Sequence, residues 1–364
     1  MIHTQVLIIG GGPSGLTAAK MACEAGCSTI LVDRSHLLGG QLTKQTHKFF
    51  GSKDQYAKIR GIDIATTLEN DLAGFENLTI MLESTVVGLY EDKVATLLQN
   101  NVYKKIKADV IILASGASEK FLAFENNDLP QIIGAGALQT LVNLYQVKPC
   151  QDLVMIGSGN IGLIVSYQMM QAGIKVKAVV EAADCIGGYK VHASKLKRLG
   201  VDIKTNTTIK RAIGTERVEA VELVKLDSNY NEIPGSSEII ETECCVISIG
   251  LSPQHQLASM LNAKVGYVKE LGGFVPLVDD SFMCSIEGVF ACGDMVGIEE
   301  ASSAMMEGYL CGLFASTYLQ HPHPNHDALV THYQTQLYEL RHGLFGKKTL
   351  DGIEKRKEKL SHVT

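Results

Sequence analysis

The sequence predicts an α/β fold, and three observations carry that reading. A strand-like run meets a glycine-rich turn and a small-residue helix at VLIIGGGPSGLTAA, residues 6–19. The same order returns at VMIGSGNIGLIV, residues 154–165, with Gly157 falling 147 residues after Gly10. After each helix a short apolar run ends on an acid, Asp33 in the first copy and Glu181 in the second. An internal repeat of strand, turn, helix and strand implies two similar βαβ units, each with a parallel sheet.

In order along the chain, a strand is predicted over residues 5–9, a helix over 14–25 and a strand over 28–32. Gly26 closes the helix, because a left-handed C-terminal residue costs glycine least. The second copy predicts a strand over 153–156, a helix over 160–172 closed by Gly173, and a strand over 175–180. Between the copies, DVIILASGAS (109–118) reads as a buried strand ending in a glycine turn. VEAVELVKL (218–226) and ECCVISIG (243–250) read as further strands. GVFACGD (288–294) is another strand running into a turn, followed by a helix over 301–319. HPHPNH (321–326) opens a tail with a helical stretch over 328–341 and a Lys-rich end.

Composition sets the outer limits. The 364 residues suffice for two or three domains, and 46% apolar content can fill a core. A net charge of −6 and the absence of Trp disfavour nucleic acid and anionic membrane surfaces as partners. No run of about 18 apolar residues predicts a membrane span. No Lys or Arg precedes Lys20, so no secretory signal is expected. Nine cysteines, an odd number without framework spacing, read as free thiols in a reducing, cytoplasmic setting.

Gly10, Gly12 and Gly15 form G-x-G-x-x-G, the arrangement of a Rossmann-like dinucleotide site. The first glycine makes the tight turn, the second lets backbone approach a pyrophosphate, and the third lets helix pack on strand. The helix starting near Ser14 points its free N–H groups and positive dipole end at the phosphates. Asp33, 18 residues past Gly15, is placed to bond a ribose diol. Gly157, Gly159, Asn160 and Gly162 repeat the pattern, with Glu181 19 residues past Gly162. An acid there favours the free 2′-hydroxyl of NAD over the 2′-phosphate of NADP. A second site of this kind could also be vestigial or hold another adenine nucleotide.

With GGGPSG, ASGA (114–117) and ACGD (291–294) in this order around a second glycine motif, the chain resembles the pyridine nucleotide–disulfide oxidoreductases over about residues 4–320. GGQLT (39–43) looks most like the thioredoxin reductase branch. The resemblance implies two three-layer dinucleotide-binding domains, with the NAD domain inserted in the FAD domain. The expected boundaries are 1–120 and 250–320 for FAD, 121–249 for NAD, and 321–364 for a C-terminal helical tail. It further implies that Gly10, Gly12, Pro13, Ser14, Gly15 and Asp33 bind the FAD pyrophosphate and adenosine ribose. Gly40 and Gln41 would pass along the flavin, Gly116 would line the pyrophosphate, and Asp294 would bond the ribityl or phosphate portion. The helix from Ala301 would aim its N-terminus at the flavin N1–C2=O edge, where reduced flavin carries negative charge.

The departures from that family are informative. No Cys pair follows GGQLT, and the chain contains no Cys-x-x-Cys. Cys23 and Cys27, four apart, read as packing on one face of the first helix; Cys244 and Cys245 would point to opposite faces of a strand. A flavoprotein of this shape without redox cysteines resembles the FAD/NAD-binding subunits of opine oxidase, proline dehydrogenase and glycerol-3-phosphate-dehydrogenase-type complexes. GAGALQTLVNLY (134–145) and IGGYKVHASKLKRLGV (186–201) look like that group. The expected chemistry is hydride transfer between NAD(H) and FAD, with a partner dehydrogenase or electron-carrier subunit taking or giving the electrons, and a homo-oligomer possible. The alternatives are a self-contained NADH oxidase and a structural nucleotide-binding subunit. No catalytic side chain or metal is assigned.

Three further features stay open at this level. Lys44, His47 and Lys48 follow the flavin-facing segment; they read as a solvated loop in preference to a proton relay. His192 reads as a surface helix residue. In the tail, Leu344 and Phe345 with Lys347, Lys348, Lys355, Arg356, Lys357 and Lys359 read either as a docking arm or as a helix packed on its own body with a solvated basic end.

Overall fold

The computed structural model describes residues 1–49, 52–343 and 346–362. The chain divides into two compact units. The first comprises Met1–Thr43, Lys48–Ser118 and Ser252–Thr364, and the second Lys44–His47 with Glu119–Leu251.

The first unit is organised on a seven-stranded sheet. Leu78–Met81, Thr29–Val32, Ile2–Ile9 and the C-terminal half of Val102–Leu113 run parallel, and Val289–Ala291 joins the outer side of the last of these. Ile8 sits opposite Leu31 on one side and Ile112 on the other. The strand Val102–Leu113 is longer than predicted, because its N-terminal half also pairs antiparallel with Val94–Gln99. Strand alternation sorts the core into two faces. Val6 and Ile8 pack with Leu16, Met21, Met305 and Leu310 of the helices, while Leu7 and Ile9 pack with Leu97, Ile106 and Ile111.

The helices Pro13–Glu24 and Ala301–Tyr318 lie unusually close. A Cβ on Gly308 would fall 2.1 Å from Thr17 Oγ1, and one on Gly312 would fall 2.5 Å from the Ala18 carbonyl oxygen. Thr17 Oγ1 donates to the Met305 carbonyl across the contact (3.0 Å). Glycine at two positions four apart is what lets these backbones approach. Cys27 lies beyond the end of the first helix, after the Gly26 turn, so it shares no helix face with Cys23; both are buried all the same.

The second unit has three layers. A parallel sheet runs in the order Asp202–Lys204, Lys175–Val180, Asp152–Ile156, Cys245–Ile247, Ile132–Gly134. Helices Asn160–Gln171 and Lys190–Arg198 cover one face through Leu163, Met169 and Leu196. The antiparallel sheet Thr207–Ile213, Ala220–Lys225, Glu238–Glu241 covers the other through Ile209, Val221 and Leu223. Cys244 packs toward the helices and Cys245 toward the antiparallel sheet, as their adjacency requires.

The tail is two helices, His326–Arg341 and Lys347–Ser361, and both belong to the first unit. The second packs on its own unit through Gly352 and Ile353 against Leu271. Its Lys347, Lys348, Lys355, Lys357 and Lys359 are exposed. Arg356 is a correction to the expected basic end, being 5% exposed and turned inward. Leu344 and Phe345 lie outside the described residues.

Candidate functional sites: two glycine cradles

Both predicted glycine motifs form strand–turn–helix cradles, and the repeat holds at the level of single hydrogen bonds. In the first, Gly10 adopts φ +112° and donates its N–H to the Val32 carbonyl (2.8 Å); in the second, Gly157 adopts φ +108° and donates to the Val180 carbonyl (2.7 Å). A side chain at either position would be strained and would also strike backbone, at 2.3 Å from the Ala114 oxygen or 2.0 Å from the Ser248 oxygen. Gly15 and Gly162 are required by space: a Cβ would lie 1.8 Å from the Gly10 oxygen and 2.3 Å from the Gly157 oxygen. The middle glycines face open room, with nothing nearer than 4.0 Å to a Cβ on Gly12 and nothing within 4 Å of one on Gly159. Gly12 and Gly159 begin helices of 12 residues each that no side chain caps. Backbone N–H groups and an open face at a helix start are the shape and charge that a pyrophosphate needs.

The two acids are held alike. Asp33 accepts from the Gly11 N–H (2.6 Å) and the Ser35 N–H (2.7 Å). Glu181 accepts from the Ser158 N–H (3.0 Å), the Ser158 hydroxyl (2.6 Å) and the Ala183 N–H (3.0 Å). Each carboxylate therefore ties its strand end to its glycine turn, and its remaining lone pairs can serve ribose hydroxyls. The repeat extends beyond the acids. Gly39 donates to the Gly11 carbonyl (2.7 Å), and Gly188 donates to the Ser158 carbonyl (2.9 Å), so a Gly-Gly pair backs each turn. A Cβ on Gly188 would fall 2.8 Å from the Asn160 nitrogen, and Asn160 Oδ1 accepts from the Tyr189 N–H (2.8 Å).

The other residues expected at the flavin gather in the first unit. Gly40 and Gln41 open a 3₁₀ turn, Gly40–Lys44, and Gln41 is exposed. Gly116 has φ +72° and open space around it. Gly293 packs on the first cradle, where a Cβ would meet Ser14 Oγ at 2.5 Å. Asp294 follows it, and Ala301 is the first residue of the long helix. Burial pushes the Asp294 carboxyl up to about 7, with Glu299, Glu307 and Glu300 adding to the rise against one bond from the Glu299 N–H (3.3 Å). A carboxyl so sparsely bonded beside an open cradle fits a ligand that brings hydroxyl donors, as the ribityl chain of FAD does.

The same shift makes a prediction. An unfolded Asp ionises near pH 3.9, so from there to about 7 the folded chain holds the extra proton and loses stability as pH rises. The penalty is complete above 7. Asp294→Asn is expected to stabilise the flavin-free chain by about 1–2 kcal/mol at pH 8, after discounting for partial exposure, and by less at pH 5. Urea unfolding at both pH values checks this; an equal difference at the two would contradict it.

Two expectations about basic residues are corrected. Lys44 and His47 do not lie in a solvated loop. Lys44–His47 belongs to the second unit, where Lys44 Nζ donates to the Gly136 carbonyl (2.9 Å) and Thr140 Oγ1 (3.3 Å). Gln168 Nε2 donates to Thr46 Oγ1 (2.9 Å), and Asn143 Nδ2 to the Lys44 carbonyl (2.8 Å). Burial lowers Lys44 against the pull of Glu119, and it holds His47 down to about 4, with His192 and Lys195 adding. His47 is therefore neutral at physiological pH; Lys48 is exposed. His192 is not a surface residue: it is 7% exposed and stacks on Tyr189. The sequence pattern missed these because a buried polar contact between distant segments leaves no spacing to read.

All nine cysteines are free thiols, and Cys185 alone is exposed. Among the described residues no helix is long and apolar enough to cross a membrane.

Two glycine cradles on α/β units, each with an acid-tied turn, are the arrangement of the flavin oxidoreductases with two dinucleotide-binding domains. The pyridine nucleotide–disulphide oxidoreductase profile matches residues 4–308, and the chain belongs to that family of flavin-dependent oxidoreductases. It is 25% identical over 331 residues to the alpha subunit of sarcosine oxidase from Corynebacterium sp. (strain P-1), covering 87% of this chain and 33% of that one. It is 24% identical over 339 residues to an opine oxidase subunit of Rhizobium meliloti, covering 85% and 62%. The chain thus spans about a third of the first relative and under two thirds of the second. Among solved structures, L-proline dehydrogenase from P. horikoshii superposes with a TM-score of 0.70 at 21% identity, over 93% of this chain and 59% of that one. The resemblance to opine oxidase subunits is therefore supported in sequence, and that to proline dehydrogenase in fold.

Proposed function

We propose that this chain exchanges hydride between NAD(H), held in the second unit, and FAD, held in the first, as a subunit that passes electrons to or from a partner protein. The observation that carries the reading is the bond-for-bond repetition of the cradle in a chain without a Cys-x-x-Cys. Bound FAD supplies hydride exchange at N5 with nicotinamide C4, a step that asks no acid or base of the protein. The residues bind and orient: the turns at Gly10–Gly12 and Gly157–Gly159 offer backbone N–H groups to phosphates, and Asp33 and Glu181 bond riboses. Glu181 repels a 2′-phosphate, and no Arg or Lys stands between it and Lys190, which favours NAD over NADP. With eight cysteines buried and none paired in sequence as a dithiol motif, electrons leave by another carrier. A protein partner fits that need, and the sarcosine and opine oxidase relatives are themselves named as subunits.

The test is anaerobic addition of NADH to the purified, FAD-loaded chain. Loss of the visible flavin absorbance is expected, with NADPH at least about tenfold slower. A yellow chain that NADH leaves oxidised would point to a structural role for the nucleotides, and rapid peroxide formation in air to a self-contained oxidase.

A further inference from the structure

We propose that the C-terminal tail clamps residues 293–300, with Arg341 and Arg356 acting as positioning residues for the flavin. The inference rests on the reading of the first unit as the FAD site. Both arginines lie beyond the family match, which ends at residue 308.

Residues 293–300 join the strand Val289–Ala291 to the helix Ala301–Tyr318, and they include Asp294. This short stretch and the helix after it carry Asp294, Glu299, Glu300 and Glu307. Such a density of acid beside a helix N-terminus cancels the positive dipole end that would favour a negatively charged reduced flavin. The tail supplies the compensation. Arg341, at the end of its helix, forks onto Glu299 through Nε (3.1 Å) and Nη2, and reaches Glu307 through the same Nη2. The three side chains are 12%, 10% and 3% exposed, so this is a desolvated cluster and not a surface pair. The other Glu307 oxygen accepts from the Gly293 N–H (2.8 Å), and Gly293 is the residue packed on Ser14 of the first cradle. Arg356 grips the middle of the stretch, donating from Nη1 to the Val296 carbonyl (2.9 Å). A bidentate guanidinium fixes direction as well as charge, which a lysine cannot do. Two anchors therefore run from the tail to the middle and end of the segment that carries Asp294, and a third reaches its start through Glu307 of the flavin-facing helix.

A clamp of this kind makes a prediction of sign. Removing the Arg341 cation leaves Glu299 and Glu307 with only the charge of Arg356 to offset them near the helix end. Removing Glu299 leaves Arg341 matched by Glu307 alone, so the cluster carries one negative charge fewer than in the parent. In the full-length chain, Arg341→Gln is expected to weaken FAD binding at least tenfold and to shift the flavin midpoint potential to more negative values. Glu299→Gln is expected to shift it to more positive values. The double variant should return toward the parent, because losing one cation and one anion leaves the net charge of the cluster unchanged. FAD titration by fluorescence quenching and a dye-equilibrated reductive titration read both quantities on folded protein. A part that served stability alone would lower the unfolding midpoint and leave affinity and potential unmoved; that outcome, or shifts of the same sign in the two single variants, overturns the clamp. Should Arg341→Gln not fold, Glu299→Gln and the double variant decide by the same signs. If the parent chain takes up no FAD, it is the assignment of the first unit that falls, whatever the variants do.

Discussion

Gly15→Ala is expected to destabilise the first unit by about 3 kcal/mol and to leave the purified chain colourless. The added methyl would stand 1.8 Å from the Gly10 carbonyl oxygen and 3.5 Å from the Ala114 side chain. Most overpacking is relieved by a side chain turning aside, but here the obstacle is backbone. Gly10 cannot retreat, since its N–H is bonded to Val32 and its own Cα side is pressed on Ala114. The helix Pro13–Glu24 must therefore move away from the strand, and it is already locked to the helix Ala301–Tyr318 through Gly308 and Gly312. Displacement would carry the Gly12 turn away from the place proposed for a phosphate and break the close contact at Thr17. Urea unfolding and flavin content per chain after purification with excess FAD measure the two effects. Full flavin occupancy with unchanged stability would show that the turn tolerates the methyl and that the cradle assignment is wrong.

Gly162→Ala is the matched experiment in the second unit, and its outcome should differ in kind. The methyl would lie 2.3 Å from the Gly157 oxygen, so the same steric argument applies to the helix Asn160–Gln171. Yet Gly162 belongs to the unit formed by Glu119–Leu251, with its own parallel sheet and core. The chain is expected to stay yellow while the rate of flavin reduction by NADH falls about a hundredfold, equivalent to roughly 3 kcal/mol of lost transition-state stabilisation. Stopped-flow reduction under anaerobic conditions reads this. Loss of flavin along with NADH response would mean that the two cradles are not separate in function; unchanged reduction would remove the second cradle from the reaction.

How much of the fold and site is legible in the sequence depends on the range of each interaction. The cradles are legible because a dinucleotide-binding turn is local: strand, glycines, helix and acid fall within 29 consecutive residues in each copy, and backbone geometry dictates which of them must be glycine. Helix ends are legible at Gly26 and Gly173 for the same reason. The expected solvated character of Lys44 and His47 fails because the partners of their segment lie far along the chain, as with Thr46 and Gln168, 122 residues apart; His192 is buried although its ring partner Tyr189 is a near neighbour in sequence. One missed signal is present. Gly308 and Gly312, four apart in a small-residue helix, mark close backbone approach. The Gly-Gly pairs at 39–40 and 187–188 are another, since they extend the internal repeat beyond its acids.

The amino-acid sequence by itself determined the α/β class, the two cradles and the want of a dithiol motif, because each is a property of neighbouring residues or of composition. Only the tertiary structure decided that a tail arginine serves the segment carrying Asp294. Arg341 meets Glu299 across 42 residues and Glu307 across 34, and burial alone makes those charges matter. In water such pairs contribute little. Withdrawn from it, they must be matched, and that requirement is invisible until the chain has folded.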